Sequence, residues 1–203
     1  DLESASATQM DVLETTRDAF LGGLVHVHQP KKGRHRAGTD AVFLAAALPD
    51  SAKGHVIDLG AGVGTAGFCA AARLGEITVS LVEIDQPVIG LARAALQDPS
   101  NASFADRISI LPADVTAKGS ERHKAGLKPG FADHVLMNPP YYPAGTFRAS
   151  PASARASAHM LDDRGLDPWV KTAADILRDG GSLTVIWLLQ VGYRTLVAAT
   201  FAG

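Results

Sequence analysis

Between residues 55 and 189 the chain repeats one pattern: a short apolar run, a turn, then a stretch with helical spacing. The apolar runs fall at 55–59, 77–82, 108–111, 134–137 and 183–189, and the helical patterns at 65–74, 87–97 and 166–177. A parallel neighbour strand can be reached only by a crossover, so this alternation predicts a mostly parallel α/β sheet with helices on both faces. Sheets of that kind bind ligands beyond the carboxyl ends of their strands, so functional residues are expected there.

The first run leads into Asp58-Leu59-Gly60-Ala61-Gly62-Val63-Gly64-Thr65. Gly60, Gly62 and Gly64 allow a tight turn and let a ligand approach the backbone. Read from Gly62 to Gly67, the same stretch also matches the dinucleotide fingerprint G-x-G-x-x-G. Of two carboxylates, one favours a different cofactor and the other suits either adenosine cofactor. Asp58 stands at the strand end, where it can answer the ammonium group of a methionine moiety; it would repel a pyrophosphate. Glu83 closes the second run, where it can accept from both hydroxyls of a ribose. Asp114, after the third run, can accept from an adenine amino group, although Asp106 is also near in sequence. Together these features predict S-adenosyl-L-methionine.

The fourth run ends in Asn138-Pro139-Pro140-Tyr141-Tyr142. An aromatic amine or amide nitrogen is a poor nucleophile because its lone pair is delocalised. Two rigid acceptors beside the NH₂, the Asn138 side-chain oxygen and the Pro139 carbonyl, can draw that lone pair out of the plane. Consecutive prolines stiffen the turn and remove competing donors. Tyr141, with Tyr142 beside it, can stack on a flat target. Holding amine and methyl group in line is catalysis by orientation, and it calls for no metal.

This arrangement resembles the amino-methyltransferases that carry an Asn-Pro-Pro-Tyr motif, which act on adenine or guanine in nucleic acids or on glutamine in release factors. A narrower resemblance comes from Gln29 to Ala41, which includes Lys31-Lys32-Gly33-Arg34-His35-Arg36 and Gly38-Thr39-Asp40. It is similar to the bacterial methyltransferases that modify the adenine beside the anticodon of a valine transfer RNA. The resemblance spans about residues 20–187 and implies a Rossmann-like class I methyltransferase fold. It also implies a cofactor contact for Thr39 and a transfer RNA as partner. Family members continue past the fifth strand with a helix and two antiparallel strands. Residues 191–203 are too few for these, so the terminal strands are expected to be missing. The edge of the fifth strand should then self-associate or be covered by that tail.

The 203 residues fit one domain, with residues 1–50 covering the cofactor and substrate and 51–203 forming the catalytic core. Residues 1–9 should fray, 24–28 should form a strand and 39–48 a helix capped by Thr39. Two loops, 118–130 and 143–164, are long enough to carry function. Lys31, Lys32, Arg34 and Arg36 put four cations in six residues, a cluster suited to phosphates, although the chain's formal net charge is −2. The single cysteine, Cys69, rules out an internal disulfide and suits a reducing compartment, the cytoplasm. The apolar stretch 183–203 is interrupted by Gln190, Gly192 and Arg194, which argues against a membrane span. A protein glutamine methyltransferase would share the Asn-Pro-Pro-Tyr chemistry without needing the basic turn. An NAD-binding module would leave residues 138–142 unexplained.

Overall fold

The computed structural model describes residues 14–32, 36–140, 165–188 and 194–200, the last of these and Leu188 as backbone only. An antiparallel hairpin comes first, β1 (Thr15–Phe20) with β2 (Val25–Pro30). Helix α1 (Thr39–Ala46) leads into β3 (Gly54–Leu59), α2 (Thr65–Arg73), β4 (Ile77–Glu83), α3 (Gln86–Leu96) and β5 (Ile108–Pro112). A short helix, α4 (Gly119–Lys124), precedes β6 (Ala132–Met137), and α5 (Asp167–Ile176) precedes β7 (Leu177–Leu188) and β8 (Arg194–Thr200). The six-stranded sheet runs β5-β4-β3-β6-β7-β8, all neighbours parallel except the antiparallel pair β7–β8. The alternation of runs and helices predicts this mostly parallel sheet, and its order is Rossmann-like, as the family resemblance implies.

Side chains of a strand alternate between faces, and the buried residues sort accordingly. Val56, Val79, Leu81 and Leu136 pack with Phe68 of α2 and Ala92 of α3. Their neighbours Ile57, Leu59, Val82, Val135 and Met137 pack on the opposite face with Trp169, Ala173 and Ile176 of α5. Asp58 shares the face of Val56, which carries its carboxylate under α2.

Several boundaries follow local chemistry. The N-cap of α1 is Gly38 rather than the expected Thr39, with no side-chain cap bond, so the chain enters the helix through backbone geometry alone. The helix ends before Pro49, where Arg73 donates to the carbonyls of Ala45 and Leu48 and pairs with Asp50. Asp85 is the N-cap of α3 with Pro87 in its first turn, as expected. Segment 118–130, whose sequence predicts a loop, contains α4. Loop 143–164 and residues 1–9 lie outside the described residues.

At the carboxyl end, β8 pairs with β7 from Ser182↔Thr200 to Leu188↔Arg194. The tail therefore covers the edge of the fifth parallel strand, one of the two outcomes expected for it, and one antiparallel strand stands where none was expected. An edge left bare would offer unpaired N–H and C=O groups to other chains. Among the described residues no helix is long and apolar enough to cross a membrane.

The hairpin is fastened to the far end of α3 by polar contacts. Arg17 makes a two-pronged bond to Asp98, at 2.7 and 3.0 Å, and also reaches Ser100 Oγ at 2.9 Å. Bonding to Arg17, then to the Ser100 amide, holds the Asp98 carboxyl far below the ordinary carboxylate range. Asn101, fully buried, accepts from the His26 amide and donates to the carbonyls of His26 and Ala95.

Candidate active site

The glycine loop lies between the ends of β3 and β4. Gly60 has φ +66°, and a Cβ there would sit 2.5 Å from the Trp169 ring, so only glycine fits. Gly64, at φ +89°, is the N-cap of α2, where a side chain would meet Leu81 and Phe68. The loop is pinned from both sides. Gly67 N–H donates to Asp58 Oδ2 at 2.9 Å, and Gly62 N–H to Glu83 Oε2 at 2.9 Å.

Asp58 is 3 % exposed. Burial pushes its carboxyl up to about 7, the Gly67 amide pulls it down and the Glu83 charge pushes it up again. It acts in this structure as the anchor of α2 beneath the loop, a buried position that sequence alone did not foresee. Glu83 is half-buried, and its other oxygen accepts from the amides of Ile84 and Asp85 at 2.7 and 2.9 Å. An ionised carboxylate has about four lone-pair sites, so three amides leave room for a further donor such as a ribose hydroxyl.

Beside Glu83 opens a cleft of about 330 Å³, lined among others by Ile84, Gln86, Pro112, Asp114 and Arg122. Asp114 Oδ1 accepts from the amide and hydroxyl of Thr116, both at 2.8 Å, which fixes its carboxylate at the cleft wall. Asp106, the competing acid, sits in a short turn before β5 and does not line the cleft. Arg122 donates to Ala117 O at 2.6 Å and to Asp175 Oδ2 of α5 at 2.9 Å. An acid for a ribose, a cleft beside it and an acid within that cleft fit an adenosine-bearing cofactor.

Asn138 follows β6 directly, two strands from β4 and on the same carboxyl edge of the sheet. Its Oδ1 is buried and has no hydrogen-bond partner among the described residues. Such an acceptor costs about 1–3 kcal/mol, a penalty that a ligand N–H would remove. Pro139 is buried and Pro140 half-buried, so the turn is set against the core. Tyr141 and Tyr142 lie outside the described residues.

Thr39 is exposed at the first turn of α1, which packs on α2. Of the basic turn, Lys31 and Lys32 are exposed, and Lys31 faces Glu14 at 3.5 Å. Arg36 bonds to Asp18 at 2.6 Å, Thr16 Oγ1 at 3.0 Å and Pro30 O at 2.8 Å. Its guanidinium thus ties the exit of β2 to β1, a role the charge run did not announce. Arg34 lies outside the described residues.

Two further groups at the site escaped the sequence reading. Trp169 is 5 % exposed against Gly60, and its indole N–H is buried without a partner among the described residues. The Thr65 hydroxyl, at the first turn of α2, is likewise buried and unpartnered. Thr65 could have been suspected from its place after the third loop glycine; nothing in the spacing of Trp169 connects it to Gly60.

The chain is similar to known methyltransferases. Residues 33–203 match the family described as methyltransferase small domain. A tRNA1(Val) (adenine(37)-N6)-methyltransferase of Bacteroides thetaiotaomicron is 26 % identical over 166 residues, covering 81 % of this chain and 65 % of the relative. The enzyme of the same name from Enterobacter sp. is 28 % identical over 172 residues, covering 83 % and 64 %. The chain thus spans slightly less than two thirds of these curated relatives. A crystal structure described as a predicted O-methyltransferase from Agrobacterium tumefaciens superposes with a TM-score of 0.64 at 32 % identity, covering 79 % of each chain.

Proposed function

The chain belongs to the methyltransferase small domain family, and on that premise we propose that it methylates an exocyclic amino nitrogen, adenine N6 of a transfer RNA. The observation that carries this reading is the buried, unpartnered Oδ1 of Asn138 at the end of β6. An NH₂ group is the complement of such an acceptor, and its second hydrogen suits the Pro139 carbonyl. Tyr141 and Tyr142 follow at once in sequence and supply flat faces for a base.

S-adenosyl-L-methionine supplies the electrophilic methyl group. Glu83 is suited to the ribose, Asp114 and the cleft to the adenine, and the loop from Gly60 to Gly64 to a close approach of the methionine portion. Thr39 and Asp58 are proposed for the methionine end, Asp58 through its charge from beneath the loop. The role of Asn138 is to orient the target amine by a hydrogen bond. As the nitrogen–methyl bond forms, the sulfur–methyl bond breaks, the thioether leaves, and the surplus proton passes to solvent rather than to Asn138. That same property argues against a hydroxyl target, because O-methylation generally draws on a base, which an amide cannot be.

The transfer RNA substrate is supported by the names of the curated relatives and by the basic turn of Lys31, Lys32, Arg34 and Arg36. The ion pair of Arg36 with Asp18 leaves that turn less charge than its sequence suggests. Such a substrate implies a cytoplasmic enzyme. Protein glutamine methylation is the second reading, since an amide NH₂ would suit Asn138 equally.

The test is incubation with methyl-labelled S-adenosylmethionine and, in parallel, total RNA and total protein. Label in the RNA fraction, recovered as N6-methyladenosine, is the expected result. Label in protein alone would replace the substrate with glutamine, and label on hydroxyls would overturn the reading.

A further inference from the structure

The chain leaves β6 at the carboxyl edge of the sheet and must enter the parallel strand β7 from the amino edge. Helix α5 makes that return, so its first turn lies at the carboxyl edge, and Trp169 stands in that turn. Ring carbons Cη2 and Cζ3 would lie 2.5 and 2.7 Å from a Cβ on Gly60, so the indole rests against the main chain of the glycine loop. Thr172, about one turn further on, donates to Val115 O at 2.7 Å and fixes α5 in this place.

Packing accounts for the ring of Trp169 but not for its nitrogen. A buried indole N–H ordinarily has an acceptor, and leaving a buried donor without one costs about 1–3 kcal/mol. This one has none among the described residues. Its core neighbours, which include Leu59, Val82, Val115 and Met137, have apolar side chains and offer none. The Thr65 hydroxyl is unpartnered too, but a hydroxyl rotates to suit its surroundings, whereas the plane of the indole fixes its N–H. Trp169 thus carries a fixed, dry donor beside the loop to which the methionine portion of the cofactor is assigned above.

The chemistry of that portion leaves one match. Its ammonium and sulfonium groups are cations that accept no hydrogen bond, so its carboxylate oxygens are its acceptors. The sheet also separates the two candidate partners. Asp58 shares the face of Val56 and Phe68, and Trp169 packs on the opposite face with Leu59 and Met137. The charge of Asp58 draws the ammonium and repels the carboxylate, which sends the carboxylate to the Trp169 side. We infer that Trp169 donates its indole N–H to that carboxylate, so that Asp58 and Trp169 hold the two charged ends of the methionine portion from opposite faces of the sheet. This rests on the cofactor placement given above.

The experiment compares S-adenosylmethionine with its decarboxylated form, which differ by the carboxylate alone, in calorimetry on the full chain and on W169F. The parent should bind S-adenosylmethionine at least about tenfold more tightly, the scale of a hydrogen bond to a charged group. W169F should narrow that ratio to about twofold, chiefly by weakening S-adenosylmethionine. A ring that served packing alone would weaken both ligands alike. An unchanged ratio in W169F therefore overturns the inference, as does a parent without preference, and both leave the cofactor placement standing. Fluorescence gives a second reading that keeps Trp169 and decides the matter should W169F not fold. Trp187 is the other of two tryptophans, so W187F leaves Trp169 as the sole indole emitter. S-adenosylmethionine should shift its emission and the decarboxylated form should not; equal shifts overturn the inference. A parent that binds neither ligand overturns the cofactor placement and the inference with it.

Discussion

Glu83 accepts the Gly62 amide at 2.9 Å, which ties the end of β4 to the tip of the glycine loop after β3. One carboxylate thus shapes the loop and faces the ligand side, so its removal should act twice. Glu83→Ala is expected to weaken S-adenosylmethionine binding by about 1.5–3 kcal/mol, the scale of hydrogen bonds to a charged group. Glu83→Gln, which keeps one acceptor oxygen, should lose less. Calorimetry showing unchanged affinity in a folded Ala variant would remove Glu83 from the site.

Asn138→Ala should separate activity from stability. Methyl transfer should drop on the order of 10²–10³, as when one pre-positioned polar partner is lost. Cofactor affinity should change little. Because Oδ1 has no partner among the described residues, its deletion breaks no hydrogen bond there, and the melting temperature should hold or rise. Near-normal single-turnover rates would contradict the proposed role, and a large fall in melting temperature would mean that Oδ1 is satisfied after all.

Asp58 predicts a pH dependence of opposite sign to that of most carboxylates. Its ordinary value is 3.8, and burial raises it to about 7 in the fold. The folded chain therefore keeps a proton that the unfolded chain has released, so stability falls as pH climbs from about 4 to about 7 and then levels. The size is on the order of 4 kcal/mol at most, at about 1.4 kcal/mol per unit. Asp58→Asn retains an acceptor for Gly67 and should flatten this slope in urea unfolding at pH 4.5 and 8. A cationic ammonium near Asp58 would favour the ionised form, so cofactor affinity in the parent should rise through pH 7. A slope that survives in the Asn variant belongs to another group.

Asn101→Ala should loosen the hairpin from the core. It deletes three buried bonds at once, to His26 N–H, His26 O and Ala95 O, and costs about 2–4 kcal/mol. Hydrogen exchange at the His26 amide should quicken far more than at Val56 or Ile57 in the sheet. Equal acceleration across both would show that the hairpin unfolds only with the whole domain.

The inner parallel strands β3, β4 and β6 could be read directly because they are largely buried on both faces and so appear as mainly apolar runs. β1 could not: Thr15–Phe20 is polar for four of its six residues and alternates between exposed and half-buried, held by pairing to β2. α4 is a six-residue polar helix whose stability comes from Asp175, fifty residues later in the chain and invisible to local periodicity. At the site, Glu83 and Asn138 were legible because strand ends fix where such residues stand. The sense of Asp58 was not, since a strand-end acid can face the ligand or the helix below it. The loss of Arg36 to Asp18 was hidden for a similar reason, because a charge run in sequence says nothing about acids brought up by a neighbouring strand.

The side chain of Asn101 meets both the N–H and the C=O of His26, as a neighbouring strand's backbone would. The two positions should therefore differ sharply in what evolution can do with them. At position 26 the contact belongs to the main chain, which every residue except proline provides, and the imidazole Nδ1 is buried without a partner. Apolar replacements there should be accepted and some should improve the fold. At position 101 only a carboxamide of that reach offers donor and acceptor together; aspartate lacks the donor and glutamine is one methylene too long. A library randomised at both sites and sorted for folded protein should keep a broad alphabet at 26 and a nearly single letter at 101.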